Sequence, residues 1–205
     1  MDPLLWVGLP LLTLYGLFLL WYGGRGRPLT GAEIETFMVQ LAARTQGTPG
    51  EVGLAEVRQL LASDDGREFV MQNLVRYRAK AQYPPGYDFS DDARAADKRY
   101  GQALLPHLVR YGNLVLFVAR CSGRFITPEG ADDWHYVAMV RYRSRRDFVR
   151  FALASAQRDI FVHKWAAIEK THVFPVQPIV SLFFVRASVA LLLAVLGVAG
   201  WAVLH

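Results

Sequence analysis

Phe69-Val-Met-Gln-Asn-Leu-Val-Arg-Tyr-Arg78 is the stretch on which the fold turns. Phe69, Met71, Asn73, Val75 and Tyr77 recur at a period of two, so a strand over 69–78 lays them on one face. Downstream, Gln-Tyr-Pro-Pro-Gly-Tyr-Asp at 82–88 is a loop by its turn residues. From 91 to 111, Ala93, Ala96, Tyr100, Ala103, Leu104, Leu108 and Tyr111 form a helical stripe. Pro106 falls inside it and predicts a kink or a break, because proline lacks the N–H that a helix interior needs. Strands are predicted over 113–121 and 134–142, with a polar turn region between them. Ser144-Arg-Arg-Asp147 opens a helical stretch over 145–169, broken near 155–159, and a last strand follows over 171–177.

The order from residue 69 is β-α-β-β-α-β. That is the ferredoxin-like, split βαβ arrangement, an α+β fold in which four antiparallel strands carry two helices on one face. The other face needs cover, because an exposed apolar sheet is a liability. Pairing of two copies face to face is the common answer.

Upstream, Thr30-Gly-Ala-Glu33 is a capping-box pattern. Ile34, Phe37, Met38 and Leu41 follow at helical spacing, predicting an amphipathic helix over 31–44. It either packs on the domain or lies on a membrane. Leu54, Val57, Leu60 and Leu61 mark a second short helix, stopped by Asp64-Asp65-Gly66.

The two ends are of another kind. Residues 4–22 and 187–204 carry no charge. Spanning a bilayer takes roughly 17–25 apolar residues, so each end predicts a membrane-spanning helix. A cleaved signal peptide would want a basic n-region and a small-residue cleavage site, and the start Met-Asp-Pro offers no basic n-region. Trp21, Tyr22, Arg25 and Arg27 mark the inner boundary of the first span. Arg186 interrupts the second, over 179–204, and can snorkel to the headgroups. Basic residues lie on the inner side of both spans, so the positive-inside rule predicts a cytoplasmic middle domain with both termini outside. The expected organisation is a span over 4–22, a helical linker segment over 30–64, the ferredoxin-like domain over 65–178 and a span over 179–204. The expected location is a bacterial-type inner membrane.

With 205 residues, the middle segment has length enough for a core of its own. The sole cysteine, Cys121, excludes an internal disulfide. The formal charge is +5, and 19 of the 23 basic residues are arginine. Beside two spans, that charge points to anionic lipid rather than nucleic acid. The basic run lacks the interleaved aromatics of a single-strand platform.

Several pieces together resemble a known group. They are Met71-Gln-Asn-Leu-Val-Arg-Tyr-Arg78, Tyr83-Pro-Pro-Gly86, Arg99-Tyr-Gly101, Tyr111-Gly-Asn113, Trp134-His-Tyr-Val137, Val140-Arg-Tyr-Arg-Ser144 and Ala166-Ala-Ile-Glu169. Over about residues 65–178 the chain resembles the DUF1330 group of the dimeric α+β barrel superfamily. The resemblance implies a ferredoxin-like fold that pairs sheet to sheet. It does not imply an activity, since the group is of unknown function and its superfamily holds monooxygenases, dehydratases and non-catalytic binders.

Candidate cleft residues are Asn73, Tyr77, His135 and Tyr142. Asn73 is either a polar group aimed into the cleft or a buried amide bonded to backbone. His135 could serve as base or axial ligand, but it has no partner by spacing. Arg141, Arg143, Arg145 and Arg146 (with Arg150) form a basic run, read as an anion or headgroup contact or as a solvated edge. Tyr83-Pro-Pro-Gly-Tyr87 is a rigid aromatic loop, either a lid or a buttress. No metal-ligand spacing, phosphate loop or dinucleotide fingerprint is present.

The expected function is therefore a non-catalytic, membrane-anchored accessory or scaffolding subunit, homodimeric or part of a larger membrane complex, with no cofactor. The alternative is a membrane-tethered enzyme or ligand-binding module acting on an apolar compound such as a quinone or haem.

Overall fold

Strand alternation and helical periodicity resolve into eleven elements in the computed structural model, which describes residues 3–23, 26–47, 53–179 and 185–204. The chain divides into two units, residues 1–23 with 178–205 and residues 24–177.

The first unit holds helices α1 (Pro3–Tyr22) and α7 (Val185–Leu204). Both are long and apolar enough to cross a membrane. They run antiparallel in contact, and glycine sets how closely. A methyl group placed on Gly197 would sit 3.2 Å from Leu11 Cδ1, and one on Gly200 3.2 Å from Val7 Cγ1. Small residues let helix backbones approach where no hydrophobic force drives them together. At the other end of the pair, Arg186 donates to the Gly23 carbonyl at 2.6 Å and lies 4.8 Å over the Tyr22 ring. Arg25 and most of 179–185 lie outside the described residues.

The second unit is mixed α+β. Its sheet contains β1 (Phe69–Tyr77), β2 (Leu114–Arg120), β3 (Tyr136–Tyr142) and β4 (Ile168–Val176), in the order β2-β3-β1-β4. Every neighbouring pair is antiparallel. Its helices are α2 (Gly31–Thr45), α3 (Leu54–Ala62), α4 (Ala93–Arg110), α5 (Arg145–Ser155) and α6 (Arg158–Ala167). Pro106 does not end α4, which runs on to Arg110. The break near 156–157 divides α5 from α6. The last strand begins three residues before its sequence pattern, because Ile168 already pairs with Tyr77 across a register shift.

Phe69, Met71, Val75 and Tyr77 face the helices, in two apolar clusters with residues of α3, α4, α5 and α6. Leu74, Phe117, Val137, Met139 and Phe174 point the other way by the pairing register, and none belongs to an apolar core cluster. The amphipathic helix α2 lies against this unit: Met38 and Leu41 share a cluster with Leu61 of α3 and Val149 of α5. Its capping box is complete, with Thr30 Oγ1 accepting from Glu33 N–H and the Glu33 carboxylate accepting from Thr30 N–H. Thr30→Ala is expected to cost about 1 kcal/mol, read as a lower thermal midpoint of the full chain in detergent.

The ends of this unit are fastened at one turn. Gly26 N–H donates to the Gly66 carbonyl at 2.7 Å, and Gln177 Nε2 donates to Asp65 at 3.4 Å. Gly66 has φ +72°, and a methyl there would fall 2.0 Å from the Gly26 oxygen, so only glycine allows the approach.

Candidate functional site

Where β1 and β3 end beside α4, the helix-facing side of the sheet turns polar. Tyr77 Oη donates to Asp97 Oδ2 at 2.9 Å, and Tyr136 Oη donates to Asp97 Oδ1 at 3.4 Å. Burial raises the Asp97 carboxyl above its ordinary range, against the two hydroxyls that favour its charged form. Burial and the nearby carboxylate push both phenols up as well. One turn along α4, Tyr100 is raised by burial.

Lys164 of α6 faces this group. Its Nζ stands 4.6 Å from the Trp165 ring centroid, 5.6 Å from Phe161 and 5.9 Å from Tyr100. Burial draws the amine down to about 8, against the opposing field of Asp97. The result is a half-buried set of one carboxyl, three phenols and one amine at the seam of α4, α6 and the sheet. Such a set can hold a small polar molecule and move a proton to or from it.

The four candidate cleft residues do not converge. Tyr77 and His135 meet: the Tyr77 N–H donates to His135 Nδ1 at 2.8 Å, and the rings stack at 5.5 Å. Tyr142 lies further along the sheet, buried and stacked 5.4 Å from Phe69, and of the polar group its field reaches Tyr100. The Phe69–Tyr142 and Val75–Tyr136 pairs are six residues apart along β1, which is roughly 20 Å of strand. Asn73 spends its amide on backbone, donating to Met71 O at 3.1 Å and Ala138 O at 3.4 Å.

The arginine run is engaged by carboxylates within the unit. Arg141 is almost wholly buried, pairs with Glu68 and donates to the Gly112 carbonyl at 2.8 Å. Arg143 pairs with Asp147 at 2.7 Å, and Arg145 with Asp65 at 2.7 Å and Asp64 at 3.5 Å. Arg146 reaches Glu33 at 2.6 Å. Of the boundary residues, Arg27 pairs with Glu33 at 2.8 Å, and Trp21 stands 6.1 Å from Phe18. In the aromatic loop, Tyr83, Tyr87 and Phe89 cluster on α6. The Tyr83 hydroxyl lies 2.9 Å from His163 Nδ1, and Arg99 lies 4.8 Å over Phe89.

Asp97, Tyr100, Tyr136 and Lys164 were not among the site residues read from the sequence. Asp97 had a signal, a charged residue on the apolar face of the stripe running Ala93, Ala96 and Tyr100. Tyr136 was legible as the period-two partner of Tyr142 on one strand. Lys164 had none, because α6 places it by tertiary contact. Among the described residues, no group of three or more His, Cys, Asp or Glu is placed to hold a metal.

Fold and site thus describe a mixed α+β unit joined to a pair of apolar helices. No family model and no curated protein matches the chain. Solved structures do. The chain is similar to the RPA0582 protein of unknown function from Rhodopseudomonas palustris, at 26% identity and a TM-score of 0.55, over 65% of this chain and 96% of that one. The methylated RPA0582 protein matches at 27% identity and a TM-score of 0.55, over 65% and 95%.

Proposed function

We propose that this protein is a membrane-anchored accessory or scaffolding subunit whose second unit is a ferredoxin-like domain, akin to the DUF1330 group, that pairs with a second copy through its outward sheet face. The observation that carries the reading is that face. Leu74, Phe117, Val137, Met139 and Phe174 are apolar and stand outside every core cluster. The strand order β2-β3-β1-β4 supports the ferredoxin-like assignment. The β2–β3 loop adds to the surface. Asp132 pins it to Lys170 at 2.8 Å and to Arg76 at 3.7 Å, both on the outward face, and the loop carries Phe125 and Ile126 at 97% and 85% exposure. Leu74, Val137, Met139 and Phe174 are half-buried and Phe117 is exposed, and together with the loop residues they form the kind of apolar surface that marks an association site. α1 and α7 are the anchors of this reading, being long and apolar enough to cross a membrane, and the basic residues beside them support a cytoplasmic domain.

Gentle detergent extraction of the native protein, followed by particle mass and identification of co-purifying chains, tests the reading. The expected particle holds at least two copies of this chain, alone or with stoichiometric foreign subunits. A single chain in its micelle would overturn it.

A further inference from the structure

The aromatic loop over residues 82–89 is fastened to the helices through one imidazole. Its ends are tied by backbone and charge. Ala81 N–H donates to the Asp91 carbonyl at 2.7 Å, Gln82 N–H donates to the Ala166 carbonyl at 2.9 Å, and Lys80 pairs with Asp91 at 2.6 Å. Its side chains close on His163 of α6. The Tyr83 hydroxyl lies 2.9 Å from His163 Nδ1, and the Phe89 and Tyr83 rings stand edge to face with the imidazole at 4.9 Å and 5.6 Å. From α4, Arg99 donates to the Tyr83 oxygen at 3.5 Å and lies 4.8 Å over the Phe89 ring. Pro84 and Pro85 each fix a backbone angle in the loop, which stiffens it. Beneath it, Tyr83 packs on the apolar cluster that also takes Tyr77 and Tyr136, the two phenols bonded to Asp97.

The neutral ring of His163 fits this arrangement. The Tyr83 oxygen receives the Arg99 N–H, which turns the phenol proton toward Nδ1 and makes Nδ1 the acceptor. A protonated ring donates from both nitrogens. The Tyr83 oxygen would then face N–H groups from two cations, Arg99 and His163, in one half-buried cluster.

We propose that residues 82–89 form a pH-released strap, held over the seam of α4 and α6 while His163 is neutral and let go when His163 takes a proton, which uncovers the Tyr77, Asp97 and Tyr136 set. The charged and titratable groups facing the imidazole are Arg99 from α4, Tyr83 from the loop and Asp159 from its own helix. Burial and Arg99 hold His163 below its ordinary range, against the opposing field of Asp159. A histidine held low in the closed state binds its proton more tightly in the open one, so acid favours opening. The strap is fully held above the open-state pKa of about 6.5 and loosens as pH falls through it.

Amide hydrogen exchange of the full chain in detergent, at pH 7.5 and 5.5 and corrected for the intrinsic rate at each, tests the strap. One proton limits the change: with an open-state pKa of about 6.5, protection falls by at most about tenfold between these pH values. Peptides over 79–91 are expected to lose about threefold to tenfold in protection, while those of β1 keep theirs. His163→Gln and His163→Phe take up no proton at that position, so in both the protection of 79–91 is expected to be the same at the two pH values. A fall below about twofold in the native chain, a fall shared by β1, or an undiminished fall in both variants would overturn the strap.

Discussion

Asp64→Ala is expected to lower the stability of the second unit by about 3 kcal/mol, because it breaks a buried charged pair and strips two backbone donors at once. The Asp64 side chain is 2% exposed and its partner Arg145 is 7% exposed, their atoms 3.5 Å apart. The same carboxylate accepts from Leu29 N–H at 2.8 Å and Gly66 N–H at 3.0 Å. Alanine leaves both N–H groups short of a partner, while Arg145 keeps only the more exposed Asp65. A loss of that size lowers the thermal midpoint by roughly 10 °C in a domain of this length. Near-UV circular dichroism of the full chain in detergent measures it. Asp64→Asn, which retains one acceptor oxygen, is expected to lose about half as much. A shift under about 2 °C for Asp64→Ala would show the turn to be dispensable. Acid acts on the same turn. Burial works to raise Asp65, yet the Arg67 N–H and Arg145 hold it below its ordinary value. A lowered carboxyl stabilises above its unfolded pKa and stops doing so as pH falls through its folded one. The turn therefore loosens at acid pH and is intact at neutral pH.

That turn also shows where sequence reading stops. Helices and strands were legible because each rests on local periodicity. Phe69, Met71 and Val75 announce β1 without help from the rest of the chain, and uncharged runs announce α1 and α7 by length alone. The arginine run was legible as charge but not as structure. Arg141, Arg145 and Arg146 find their acids at Glu68, Asp65 and Glu33, which lie 73, 80 and 113 residues away in sequence. A local pattern of five arginines in ten residues cannot reveal partners at that range, so a set of internal staples read as a basic surface. The cleft was legible only in part, for Tyr77 and the His135 beside it. Asn73 and Tyr77 share a strand face, but the polar seam forms only where β1 and β3 end beside α4 and α6, and that meeting is tertiary. The turn from 64 to 66 gave itself away only as a helix stop. Its use as the fastening of Gly26 and Gln177 depends on a glycine at φ +72° and on contacts no spacing rule anticipates.

Leu74→Arg is expected to abolish self-association while leaving the fold intact. Leu74 lies near the middle of β1, opposite Val137 of β3 and His172 of β4, on the face turned away from the helices. In a symmetric pair the substitution enters twice, setting two like charges into one apolar contact. Burying an unpaired charge at an interface costs at least about 3 kcal/mol, a weakening of more than about 100-fold. In the separate unit the same side chain reaches water, so the thermal midpoint is expected to move by no more than about 2 °C. Light scattering of the full chain in detergent reads the first effect, as a particle that loses half its protein mass. Thermal unfolding of the same sample reads the second. Phe69→Arg is the contrast: it faces the core at 1% exposure, so it is expected to unfold the domain rather than separate two of them. A Leu74→Arg protein that keeps the wild-type particle mass would remove the sheet face from the assembly and leave α1 and α7 as the surfaces through which copies meet.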